Sequence, residues 1–228
     1  GSASLPASLR AVAPEESRTP RPRRHAMQIS RLVLAAGLVS SLALGFAFVR
    51  PSVSAPIVAE GAATYEVDPV HSSAVFKLKH AGAAWFHGRF NAMSGTIQYD
   101  AAAPEKSKVE LTIDVGSVDT NNGKRDDHLK GADFFDAAQF PKATFKSTKV
   151  AKKGDKLAVT GDLALHGVTK SVTADVEFVG SGKGPMGNEV GGFSASLVLQ
   201  RGAFGIKTYP GMLGEDVHLT IDVEAAKK

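Results

Sequence analysis

The chain has 228 residues, 43% hydrophobic and 22% charged, which suits one globular domain plus an extension. Seven of its 27 basic residues but only two of its 23 acidic ones precede Glu60, so the remainder holds 20 basic against 21 acidic groups and the formal charge of +4 belongs to the leader. That removes the support for a nucleic-acid partner, and the absence of cysteine excludes disulfides, thiolate metal sites, cysteine nucleophiles and a lipid-accepting cysteine.

Residues 1–26 are Pro-, Ser- and Arg-rich without a period and are expected to be a disordered leader or an over-extended start, with Met27 as the natural first residue. Residues 27–59 carry the three parts of a secretory signal: Arg31 as positive flank, the uncharged run Leu32–Val49, and small residues up to Ala59. Pro56 disfavours cleavage after Ala55, so Ile57-Val58-Ala59 is the expected exit. The run of 18 residues is at the lower edge of a bilayer span, which leaves a retained anchor as the alternative.

From Tyr65 onward the dominant signal is period two. Ala74, Phe76, Leu78 and His80 alternate with Val75, Lys77 and Lys79; Val109, Leu111, Ile113 and Val115 alternate with Glu110, Thr112 and Asp114. Similar stripes run through Leu157–Leu165, Val172–Phe178, Phe193–Leu199 and Val217–Val223, with further segments near Phe90–Tyr99 and Ala143–Lys149. About eight half-buried strands follow, each with one apolar and one wet face, separated by turns at Lys153-Gly154-Asp155, His166-Gly167 and the Gly-rich 180–192. One or two helical turns are expected over Asp126–Ala138, ended by Pro141. The predicted fold is all-β: a closed antiparallel barrel or sandwich with one longer crossover, an eight-stranded barrel being wide enough for one small ligand.

Few residues suggest chemistry. His80 ends an inward face and can orient a ligand's head or serve as a core histidine; His71 is assigned to the turn after Pro69. His87 falls in Trp85–Phe90, read as a loop or hairpin tip. The cluster Arg125-Asp126-Asp127-His128 is either an acid/base site or a helix start. In the second reading Asp126 or Asp127 caps the following amides and Arg125 pairs with a carboxylate. Its spacing fits no zinc motif, and no nucleophile elbow or phosphate loop is present, so no catalytic residue, metal or cofactor is assigned.

The assembled motifs resemble the YceI-like family. They are His71-Ser72-Ser73 with Phe76, Lys79-His80 and Gly88-Arg89-Phe90; Asp119-Thr120 through Arg125-Asp126, His128-Leu129, Asp133-Phe134-Phe135-Asp136 and Phe140-Pro141; and Gly161-Asp162-Leu163 with His166-Gly167-Val168-Thr169. Arg201 with Phe204-Gly205-Ile206 is a weaker fourth match, and the whole covers about residues 64–224. Trp85-Phe86-His87 is bulkier than the family's usual loop, and Ala164 replaces its common Thr.

The resemblance implies a lipocalin-like extended barrel over 60–228 that binds a polyisoprenoid in the periplasm, without established catalysis. On this reading the protein is a carrier or sequestering protein for an isoprenoid, quinone-like or other long-chain amphiphilic lipid. Phe76, Leu78, Phe90, Ile97, Leu111, Ile113, Phe145, Leu163 and Phe193 line the bore, with His80 and Arg125 at the head. It leaves room for transient membrane contact and for a homodimer. Two rival readings are an enzyme acting on such a lipid through His80 or the Asp126/His128 pair, and a non-lipid, stress-related interaction module using the Trp85–Phe90 tip.

Overall fold

The computed structural model describes residues 61–228. The expected leader over 1–26 and signal peptide over 27–59 lie outside the described residues. Eleven strands form one sheet: β1 (Ala63–Val67), β2 (Ser73–His80), β3 (Ala84–Phe90), β4 (Met93–Tyr99), β5 (Lys108–Asp114), β6 (Val118–Asp119), β7 (Lys142–Lys153), β8 (Lys156–Leu165), β9 (Val168–Lys183), β10 (Glu189–Gln200) and β11 (Asp216–Lys227). A single α-helix among the described residues, α1 (Gly123–Lys130), stands between β6 and β7.

The eleven segments make only eight passages, because three pairs are continuous strands interrupted by a kink. β1 and β2 both pair with β11, through Tyr65↔Lys227 and Phe76↔Leu219. β3 pairs with β2 while β4 pairs with β1, so β3 and β4 form the second passage, broken at Asn91-Ala92. β5 and β6 form the third, broken by a 3-10 turn over Val115–Ser117. The two latter kinks lie side by side, the Asn91 amide donating to the Ser117 carbonyl at 3.1 Å and the Ala92 amide to Ser117 Oγ at 3.0 Å. Each passage is antiparallel to the next and β1 pairs with β11, which closes an up-and-down barrel, with β6 paired on one side only, to β3. Because its first and last strands pair with each other and its core clusters draw on residues from Ala63 to Ala225, the barrel is a self-contained folding unit.

Period two decides which side chains enter. In β2, Ala74, Phe76 and Leu78 are buried while Lys79 on the other face is exposed. The outer wall carries Lys77, Glu110, Lys146, Asp162 and Glu177, the reverse of a barrel that spans a bilayer, whose apolar band faces outward. At the end where β4 meets β5, the inward Tyr65, Tyr99, Phe178 and Phe193 interlock. Tyr99 stacks on Phe178 at 4.8 Å, and Phe193 meets Tyr99 at 5.5 Å and Phe178 at 5.4 Å. Burial raises the Tyr99 phenol above its ordinary 10.0, so it stays neutral in this plug. Toward the other end the inward Leu111, Ile113, Phe145, Leu163, Leu197 and Leu219 are only half-buried, because they face a cavity rather than one another.

Several expectations need correction. Trp85–Phe90 is strand β3, not a tip; the turn is Ala81–Ala83, and Phe90–Tyr99 is two strands rather than one. The helix spans Gly123–Lys130 instead of Asp126–Ala138, and the residues after it are turns. The Gly-rich 180–192 is mostly strand, with its turn confined to 184–188, since long strands β9 and β10 extend their pairing through Gly180↔Gly192 and Gly182↔Val190.

Candidate functional site

The inward stripes enclose a cavity of ≈ 550 Å³ that runs from the aromatic plug to the α1 end. All eleven residues singled out from sequence line it. Phe76, Leu78 and Phe90 come from the β2–β3 wall, with Phe76 and Phe90 rings 5.6 Å apart. Ile97, Leu111 and Ile113 come from β4 and β5, Phe145 and Leu163 from the facing pair β7–β8, and Phe193 from the plug. Gly88, directly opposite Phe76, lets that ring lie flat across the strand: a Cβ there would meet Phe76 Cζ at 2.3 Å.

The ionisable side chains of the lining are His80, Arg125, His128, Arg201 and Tyr209, and topology puts every one of them at the same end. His80 ends β2, Arg125 and His128 belong to α1, and Arg201 and Tyr209 to the segment between β10 and β11. The site is therefore an apolar bore, closed at one end by aromatics and opening among polar groups at the other. No carboxylate lines it among the described residues.

Arg125 is fixed by the chain just before α1. Its Nε donates to Thr120 Oγ1 at 2.8 Å and its Nη2 to the Thr120 carbonyl at 2.7 Å, while the guanidinium lies 4.6 Å over the Phe86 ring. The expected pairing of Arg125 with a carboxylate is thus replaced by a hydroxyl, a carbonyl and an aromatic face. The expected caps differ too. Asn122 caps α1 by accepting from the Arg125 amide at 3.1 Å, whereas Asp126 reaches backward and accepts from the Thr120 amide at 2.8 Å.

Asp126 and His128 are not brought together. Two residues apart on a helix they point to different sides, and His128 Nε2 instead meets Asp133 Oδ2 at 3.0 Å, with Phe134 and Tyr209 around its ring. Asp133 is 70% exposed, so this pair faces water at the rim. His80 is exposed, bridging by its backbone to Leu213. His71 stays in its turn, bonded through Nδ1 to Asp68 Oδ2 at 2.8 Å and 3.8 Å from Glu224. These three could offer atoms to a cation, but all are solvent-facing and already satisfied in part by one another.

The sequence reading missed the wall that Arg201 builds. Arg201 is 6% exposed and donates to the carbonyls of Ile206, Thr208, Leu213 and Gly214, at 2.8 to 3.1 Å, which folds 201–215 over the mouth. Phe204 and Ile206 are buried by this loop, and Tyr209, Met212 and Leu213 line the opening. Apolar residues crowded into a loop just after a fully basic position were the available signal.

Three comparisons agree with this geometry. Protein YceI of Escherichia coli O157:H7 is 40% identical over 191 residues, spanning 83% of this chain and 98% of that one. The crystal structure of BcnA from Burkholderia cenocepacia aligns with a TM-score of 0.64 at 28% identity, covering 70% of this chain and 99% of that one. A polyisoprenoid binding domain from Saccharophagus degradans, described as implicated in plant cell wall breakdown, aligns with a TM-score of 0.53 over 72% of this chain and 98% of its own. At 16% identity it attests the fold alone. The YceI-like domain pattern itself matches residues 65–225, which with the barrel and its motifs places the chain in the YceI-like family.

Proposed function

We propose that the protein is an exported, periplasmic carrier or sequestering protein that holds a long-chain isoprenoid or quinone-like amphiphile in the barrel. The observation that carries this is the bore's polarity gradient: hydrocarbon side chains along its length, an aromatic floor, and ionisable groups only at the mouth. A long apolar chain gains about 25 cal/mol per Å² buried before the costs of ordering it, and needs no other machinery than such a surface. Its head remains at the mouth, where Arg125, His80 and His128 meet it. The Saccharophagus degradans domain of the same fold carries the name polyisoprenoid-binding, which fits this ligand class. Turnover of the lipid would call for a histidine and a carboxylate converging inside the bore, whereas His128 meets Asp133 at the water-facing rim and no carboxylate lines the bore among the described residues.

Native mass spectrometry of protein taken from its own host is expected to show a lipid adduct, and delipidated protein to take up an added polyprenol one to one. Protein that carries no lipid and takes up none would end this reading. Fractionation of the host should find the protein in the periplasm.

A further inference from the structure

We infer that the rim of the mouth is a docking surface for an anionic phospholipid bilayer, through which lipid enters the bore; this rests on the reading that the bore holds a lipid. Two loops make the rim. The β2–β3 turn and the segment before β11 are joined by the Ala81 amide to the Met212 carbonyl at 2.6 Å and the Gly214 amide to the Lys79 carbonyl at 2.8 Å. On this joined rim and the wall beside it stand four of the seven large apolar residues that the described residues expose: Trp85 at 43%, Tyr209 at 49%, Met212 at 50% and Val198 at 54%. Tyr209 and Met212 also line the cavity, so apolar surface runs without a break from the bore to the outside. A hydrocarbon chain moving along it from a membrane never crosses water.

Charge selects the partner. Lys77 and Lys79 hold their ammonium groups 4.9 and 4.7 Å from the Trp85 ring, and neither has an ion pair among the described residues. The Trp85 ring meets His218 at 5.1 Å, and His218 lies opposite Val198 in the ladder, so cations and apolar groups interleave on one face. Two of the rim's acids have basic partners, Asp133 in His128 and Glu215 in Arg201, while Asp216 accepts from Gln200 and keeps its charge. An indole at the interface with lysines beside it is the pattern that membrane surfaces attract, each lysine strengthening binding to an anionic leaflet by roughly fivefold.

Trp85 is the chain's one tryptophan, so its emission reports on the rim directly. The self-contained barrel, residues 60–228, is mixed with vesicles of phosphatidylglycerol and phosphatidylethanolamine, and separately with phosphatidylcholine alone. Cosedimentation and a blue-shifted emission are expected on the anionic vesicles, much weaker on the neutral ones and lost at high salt. The double variant Lys77→Glu/Lys79→Glu, and Trp85→Ser separately, are expected to weaken cosedimentation more than tenfold while still taking up a polyprenol delivered from ethanol. Wild-type protein that ignores anionic vesicles, or a charge-reversed variant that cosediments like wild type, overturns the docking surface. Wild-type protein that binds vesicles but takes up no polyprenol overturns the lipid-filled bore and leaves the docking surface standing.

Discussion

Arg201 shows how one side chain can shape an opening without touching what passes through it. Its planar fork donates to four carbonyls spread over Ile206–Gly214, and a lysine's single ammonium cannot reach them together. Arg201→Lys is expected to lower stability by about 3 kcal/mol, since carbonyls that lose a charged donor inside the protein are costly to leave unpaired. Urea unfolding measures that cost, and hydrogen exchange should quicken in 206–214 ahead of the strands; a variant with unchanged unfolding and exchange would contradict this account. The sequence marked Arg201 as a family position without revealing its role, because backbone carbonyls carry no side-chain signature. His80 was legible for the opposite reason. His80 continues the apolar stripe of β2, so its position alone predicts a bore's end, whereas Arg125 stands in a polar helix and came only through the resemblance.

At the scale of elements, alternation located the strands well and missed where they bend, because a kink keeps the inward face apolar on both sides. The break between β1 and β2 is the exception, signalled by Asp68-Pro69 and built around Asp68. That carboxylate accepts from His71 Nδ1 and from the Val70 amide, each at 2.8 Å. The bond it accepts from His71, then that from Val70, holds Asp68 below its ordinary 3.8; the bond His71 donates to Asp68, then the charge of Asp68, holds His71 above 6.5. The raised histidine contributes stability that is complete below 6.5 and lost as pH rises through its folded value. The lowered carboxylate contributes stability that is complete above 3.8 and lost as pH falls through its folded value. Both contributions are thus present together between pH 3.8 and 6.5, and they are modest because both groups are exposed. In an NMR titration His71 should titrate above 6.5, and Asp68→Asn should bring it down; a titration that the substitution leaves in place would show the bond is not formed. The crossover 119–141 was legible as an interruption of period two, and its phenylalanines hold it over the barrel. Phe134 is buried and Phe135 meets Phe90 at 5.5 Å. Its polar partners were not legible, since Asp126 turning back to Thr120 depends on the path of the loop rather than on spacing.

For the whole molecule, the count of alternating segments allows a barrel or a sandwich and the β1–β11 pairing decides for the barrel, but bore length depends on where inward side chains meet across it. Phe193 marks the floor and Leu199, on the same face of β10, lies near the mouth. Six residues at about 3.3 Å each, tilted as barrel strands are, give roughly 15 Å of depth. Affinity for a homologous series of long-chain alcohols should therefore climb with each added methylene, by up to about 0.8 kcal/mol, and then level off once the chain reaches the floor. Beyond Phe193 lies a second cavity of ≈ 20 Å³ that shares Ile97, Val109, Val159, Val176 and Phe193 with the first. Phe193→Ala removes the ring between them, at a cost of about 3 kcal/mol of stability. In competition titrations the variant's affinities should go on rising past the chain length at which wild type levels off. Identical plateaus in the two proteins would mean that the chain stops short of Phe193, and that the floor is set by the inward residues of β5, β7 and β8 instead.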